Sequence, residues 1–182
     1  MTVSSRLNVS SESHTFGNFV TGQGLREVYH VFKKFAEKLE PELLLCYGGI
    51  GNGKTFLLEA TAMRLFERGI FARVVVWSDF IANLKSRMDD KEATPFEFVL
   101  RNYYESPVVL LDDYGMGTTD TAWEKSILEK IVDYRYRNRL PMALTTNMEI
   151  KNLPVRVESR FNDPECGIVV ENKGGDYRRR SK

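Results

Sequence analysis

The chain is poor in the residues that staple or metallate a small fold. Its 182 residues include 2 cysteines and 2 histidines. Cys46 and Cys166 are far apart, and no CxxC pair occurs. A zinc site takes four clustered ligands, so this pattern excludes one. Cys46 lies in the apolar run Leu43-Leu44-Leu45-Cys46-Tyr47 and reads as a small buried hydrophobe. Nothing in the cysteine usage points to an oxidising compartment. No apolar run approaches the roughly 20 residues that cross a bilayer. Met1 to Ser13 is rich in Ser and Thr and lacks the apolar stretch of a signal peptide. The expectation is a cytoplasmic protein with no membrane partner. An excess of one charge is also missing. Lys plus Arg is 26 and Asp plus Glu is 25, which excludes a polycation but not a local basic patch.

What is present fits an ordinary globular domain, with 42% hydrophobic and 28% charged residues. The length suits one α/β domain with a substantial core. Residues 1–15 are polar and read as a flexible segment, leaving 16–182 as a single domain. Leu25 to Leu39 places apolar residues at helical spacing, and Pro41 stops it. Leu43 to Tyr47 reads as a buried strand, Lys54 to Arg68 as a helix, and Arg73 to Trp77 as a second strand. Asp79 to Met88 and Pro95 to Tyr104 read as helices split by a charged turn. Val108 to Asp112 is a third strand and Thr121 to Arg139 a long amphipathic helix. Met142 to Thr145, a short helix Val155 to Phe161, and Gly167 to Val170 complete the pattern. Strands alternating with helices, and apolar on both faces, predict a parallel five-stranded sheet with helices on both sides.

Gly48-Gly49-Ile50-Gly51-Asn52-Gly53-Lys54-Thr55 matches GxxxxGK[ST], between a predicted strand and a predicted helix. Glycines let backbone wrap phosphate oxygens, and the helix N-terminus adds N–H donors and partial positive charge. Lys54 is placed to bridge the β- and γ-phosphates, and the Thr55 hydroxyl to ligate Mg²⁺. Such a loop needs an acid at the end of another strand. Val108-Val109-Leu110-Leu111-Asp112-Asp113 supplies it. Asp112 is placed to hold the metal shell and Asp113 to orient or deprotonate the attacking water. ATP with Mg²⁺ is the expected ligand pair, and hydrolysis the expected reaction.

From about Thr15 to Arg180 the sequence resembles the AAA+ ATPases of the DnaC/DnaI helicase-loader family and the related transposase helper IstB. Thr15-Phe16-Gly17-Asn18-Phe19 resembles the segment leading into the ATPase domain near the adenine. Leu110 to Gly115 resembles its Walker B strand, and Trp123 to Tyr136 the helix that follows. Leu144-Thr145-Thr146-Asn147 resembles the sensor-1 strand, which implies Asn147 as the group that watches the γ-phosphate and water. Glu158-Ser159-Arg160-Phe161 resembles the arginine-finger segment and implies Arg160. Gly175-Asp176-Tyr177-Arg178 resembles the sensor-2 segment and implies Arg178. The resemblance implies a protein of DNA replication that loads a replicative helicase, with single-stranded DNA as a further partner and a homo-oligomer formed on ATP. A reduced or absent C-terminal helical lid is part of the same expectation. An IstB-like transposase helper and a nucleotide-switched adaptor with little turnover are the alternatives.

Three departures stand out. The 47 residues ahead of Gly48 carry none of the helicase-gripping, cysteine-rich domain usual in such loaders. Phe56 follows the loop threonine where the family often has His, and Asp113 stands where most AAA+ proteins have Glu. Trp123 is a candidate base-stacking contact to DNA. Lys85, Arg87, Arg101, Arg135, Arg137 and Arg139 are candidate cations, some with i,i+4 acids able to absorb them.

Overall fold

The computed structural model describes residues 14–22, 24–89, 95–115 and 121–177. Helix α1 (Arg26–Lys38) buries Val28, Phe32, Phe35 and Ala36, one stripe at helical spacing. It stops where Leu39 turns left-handed and its N–H caps Phe35 O. Strand β1 (Leu43–Gly48) leads to α2 (Lys54–Glu67) and β2 (Ala72–Val76). Helices α3 (Trp77–Asp89) and α4 (Phe96–Tyr104) precede β3 (Val108–Tyr114). Then come α5 (Ala122–Arg137), β4 (Met142–Thr146), a short 3-10 turn at Ile150–Asn152, α6 (Val155–Phe161) and β5 (Gly167–Asn172).

The five strands are parallel in the order β2-β3-β4-β1-β5. Successive residues of one strand point to opposite faces. Leu43 and Leu45 of β1 therefore join Leu111, Leu144, Ile131 and Phe161 under α3, α5 and α6. Leu44 and Cys46 join Leu110, Ala143, Phe32 and Leu57 under α1 and α2. Burial on both faces explains why the strands read as unbroken apolar runs. Among the described residues no α-helix follows β5, and no helix is long and apolar enough to cross a membrane.

Two differences from the sequence expectations have physical causes. Trp77, expected to end β2, instead opens α3 and is fully buried against Phe80 and Tyr114, so an apolar residue continued the strand pattern into a helix. Strand β3 continues through Asp113 to Tyr114, because it still pairs with β4 there.

Arg135, a candidate surface cation in the sequence, is 0% exposed. Its Nη1 donates to the carbonyls of Tyr104 (2.9 Å) and Ser106 (2.8 Å), and Nη2 to those of Pro107 and Pro141. It thereby ties the loops that enter β3 and β4. Burial lowers its pKa to about 10, so it stays cationic at neutral pH. Arg135→Met removes the hydrogen bonds to four carbonyls, of which Pro141 O keeps the N–H of Val109 (3.2 Å), and is expected to lower stability by about 2 kcal/mol or more. The check is the urea midpoint, which falls while the slope of the unfolding free energy stays unchanged. A midpoint equal to wild type would contradict the clamp.

Candidate nucleotide site

The C-terminal ends of β1, β3 and β4 meet beside the start of α2, the crevice where open α/β sheets take ligands. Strand β1 ends at Gly48, whose φ of 147° puts a side chain against the carbonyl of Asn172, so glycine is required. Gly53 caps α2 in the left-handed region with φ 90°, and no side chain caps the helix. The first i→i−4 bond at the cap is Leu57 N–H to Gly53 O (3.0 Å). The N–H groups of Lys54, Thr55 and Phe56 precede it and lack helical partners, and the first turn holds no acid. This end of α2 is built for an anion. Gly49 and Ile50 at the crown of the loop and Thr55 on the first turn are exposed.

Lys54 is 5% exposed. Its Nζ donates to Gly48 O (3.0 Å), Gly49 O (2.7 Å), Asn52 Oδ1 (3.1 Å) and Asn147 Oδ1 (2.7 Å). Burial lowers its pKa, and charges nearby oppose that shift. The neighbouring Cys46 thiol is pushed up to about 12 by burial and is uncharged at neutral pH. The carboxylates of Asp113 and Asp112 oppose the lowering.

Asn147 then donates Nδ2 to Asp113 Oδ1 (2.7 Å). Lys54, Asn147 and Asp113, read separately from the sequence, thus form one hydrogen-bonded chain across α2, the end of β4 and β3. Asp113 adopts φ 59°, a sparsely populated conformation for a non-glycine residue. Asp112 is buried beside it.

Asn52 and Thr145 lie in motifs that the sequence marks, but their partners across the fold do not follow from those motifs. Asn52 donates to Asn172 O (2.9 Å), and Asn172 donates back to Asn52 O (3.1 Å), which locks the phosphate loop to β5. Thr145 accepts from Asp113 N–H (3.0 Å) and donates to Asp112 Oδ1 (2.5 Å).

Aromatic side chains flank the loop. Phe19 approaches Gly53 and lies 5.3 Å from Phe56 and 5.9 Å from Tyr29, ring to ring. Phe16 meets Tyr29 edge-on at 5.7 Å. His14 pairs with Glu59 and lies over Phe56 at 4.3 Å. Phe56, where the resembling family often has His, belongs to this cluster. From the other side Tyr177 N–H bonds Gly51 O (2.9 Å) and its hydroxyl bonds Val20 O (3.0 Å). Arg178 lies outside the described residues.

Arg160 is not at this site. Its carbonyl adjoins Gly167, where β5 begins, whereas the phosphate loop adjoins Asn172, where β5 ends. A strand of that length spans roughly 17 Å. Arg160 Nε pairs with Asp133 Oδ1 (3.0 Å), and its guanidinium lies 4.3 Å from the Tyr136 ring centre. Trp123 packs half-buried against Phe96 (6.0 Å), with the Lys85 ammonium 5.7 Å from its ring centre. Most of the candidate cations are engaged: Lys85 with Glu124, Arg101 with Glu105, Arg137 with Asp133, and Arg139 with Glu42 and Glu165.

Among the described residues no group of three or more His, Cys, Asp or Glu is gathered to hold a metal. Mg²⁺ does not need one, because it commonly binds through one or two protein oxygens together with phosphates and water. The exposed Thr55 hydroxyl and the Asp112 carboxylate, both hard oxygen donors, fit that requirement.

The bacterial DnaA ATPase domain family model matches residues 10–171. The chain is similar to the chromosomal replication initiator protein DnaA of Helicobacter pylori (strain J99 / ATCC 700824), at 34% identity over 165 residues, covering 88% of this chain and 35% of that protein. The chain spans about a third of the length of the curated relatives it matches. In structure it is similar to AMPPCP-bound DnaA from Aquifex aeolicus, with TM-score 0.75 and 25% identity, covering 90% of this chain and 50% of that one. It is also similar to the DnaC helicase loader, with TM-score 0.73 and 24% identity, covering 90% and 100%. The five-stranded AAA+ fold expected from the resemblance is present. The matching family model is that of the DnaA ATPase domain, and the loaders stand beside it as structural neighbours.

Proposed function

The chain belongs to the bacterial DnaA ATPase domain family, and on that footing we propose that it binds ATP with Mg²⁺ and hydrolyses it in the service of DNA replication. The observation that carries the reading is the contact chain Lys54–Asn147–Asp113, which ties the phosphate loop to an acid able to handle water. Gly48 to Thr55 cradle the phosphates, with backbone N–H groups and the Lys54 ammonium neutralising their charge. Thr55 and Asp112 hold Mg²⁺, which when bound offsets charge on the β- and γ-phosphates. Asp113 orients the attacking water and takes its proton, and Asn147 fixes that carboxylate against the γ-phosphate. Arg160 acts on the nucleotide of a neighbouring copy in a homo-oligomer, and Arg178 adds a cation to its own. The aromatic cluster of Phe16, Phe19 and Phe56 faces the base.

The finer role rests on the resemblance in the ordered motifs Asp112-Asp113, Thr145-Thr146-Asn147 and Ser159-Arg160-Phe161. It is the loading of a replicative helicase in the cytoplasm, with single-stranded DNA bound near Trp123. Asp113→Asn keeps the shape of the side chain and removes the base. Nucleotide affinity is expected to stay within about threefold, while phosphate release falls roughly 10²-fold. If the wild-type protein releases no phosphate even at high concentration with single-stranded DNA, the nucleotide-switched adaptor replaces the ATPase.

A further inference from the structure

We propose that Thr145 is the positioning residue that divides labour between the two acids, holding Asp112 for the metal and Asp113 for the water. The inference rests on the ATP·Mg²⁺ reading of the site. It begins with the pairing of β3 and β4. Leu111 pairs with Leu144, and pairing resumes at Tyr114 with Thr146. Asp112 and Asp113 therefore stand opposite the single residue Thr145, and β3 is bulged there. Bulges re-aim side chains, and at this one two consecutive acids meet a single threonine.

A bulged Asp113 with φ 59° needs something to hold it. Thr145, 1% exposed, supplies a hydroxyl with one proton and two lone pairs. The proton goes to Asp112 Oδ1 (2.5 Å), and a lone pair accepts Asp113 N–H (3.0 Å). With Oδ1 held, the Asp112 carboxylate cannot rotate freely, and its second oxygen is left for the cation. With its N–H held, Asp113 keeps the backbone conformation that sends its carboxylate to Asn147. No smaller group performs both tasks, because a methyl cannot donate and a carbonyl cannot both donate and accept.

Thr145→Val removes the hydroxyl and nearly keeps the volume, and Thr145→Ser keeps the hydroxyl. Binding of AMPPCP is followed by calorimetry at graded Mg²⁺, and phosphate release from ATP is measured separately. Losing an outer-shell partner of a metal ligand typically weakens metal binding or activity 10- to 100-fold. Thr145→Val is expected to raise the half-saturating Mg²⁺ concentration by about tenfold and to slow turnover by roughly 10²-fold. Its affinity for AMPPCP without Mg²⁺ should stay within about threefold of wild type, and Thr145→Ser should stay within about threefold throughout. If Thr145→Val does not fold, Thr145→Ala carries the same comparison. Equal Mg²⁺ dependence in wild type and the variant lacking the hydroxyl would overturn the proposal. So would a Thr145→Ser protein as impaired as that variant. If the wild-type protein binds Mg²⁺·AMPPCP but never turns over, the hydrolysis reading fails alone, and the Mg²⁺ dependence still decides the role of Thr145.

Discussion

A Lys54→Ala protein is expected to bind ATP roughly 10²- to 10³-fold more weakly than wild type. The side chain has three N–H groups and contacts four acceptors, two loop carbonyls, Asn52 and Asn147. At least one of those contacts is shared, so an arriving phosphate takes over a donor that no single partner monopolises. The site is pre-formed around a buried cation, and truncation removes that charge from the place where phosphate negative charge must be met. Truncation also strands Asn147 Oδ1, so the link to Asp113 loosens together with the phosphate contact. Isothermal calorimetry with ATP and Mg²⁺ reads the loss. Equal affinity in mutant and wild type would mean that the nucleotide, if any, binds elsewhere.

Arg160→Ala is expected to leave ATP affinity within about threefold and to reduce turnover by roughly 10³-fold, the usual effect of losing a finger that stabilises developing phosphoryl charge. The placement of the residue sets the form of this prediction. Arg160 lies at the end of the sheet where β5 starts, roughly a strand's length from its own phosphate loop. It has to act in trans or not at all. Asp133 engages it through Nε, and the Tyr136 ring supports its face. That arrangement holds the guanidinium between α5 and α6, and the proposed trans role requires a neighbour to meet it there. Turnover per subunit should therefore rise with protein concentration in the wild type. A rate per subunit that is flat over a hundredfold range of concentration, with oligomers forming across that range, would contradict the trans assignment.

What could be read from the chain was what is local or periodic in it. The phosphate loop is eight consecutive residues, and its meaning survives without any tertiary knowledge. Strands β1, β3 and β4 announce themselves as apolar runs because both of their faces are buried. The rest depends on contacts between distant positions. Thr145 and Asp112 are 33 residues apart, and Asn52 and Asn172 are 120 apart. Local pattern marks Asp112 and places Asn52 in the phosphate loop, but it does not pair them with Thr145 and Asn172. The bulge at Asp112-Asp113 was invisible because two acids after an apolar run look like the end of a strand. Arg135 looked like one more surface cation on an amphipathic helix. It is buried because four carbonyls at the ends of neighbouring loops converge on it, which is a property of the packed fold alone. The family resemblance found the AAA+ fold and the order of its motifs, while the narrower loader assignment met a matching family built on the DnaA ATPase domain.

The central claim is that this chain hydrolyses ATP at a site completed by a second copy of itself. The most direct measurement mixes two inactive proteins, Lys54→Ala and Arg160→Ala, and follows phosphate release. In a mixed oligomer some interfaces join an intact phosphate loop to an intact Arg160. The account predicts that the mixture recovers a measurable fraction of wild-type turnover that neither protein has alone. A mixture as inactive as its parts, with mixed oligomers demonstrated by cross-linking, would contradict it.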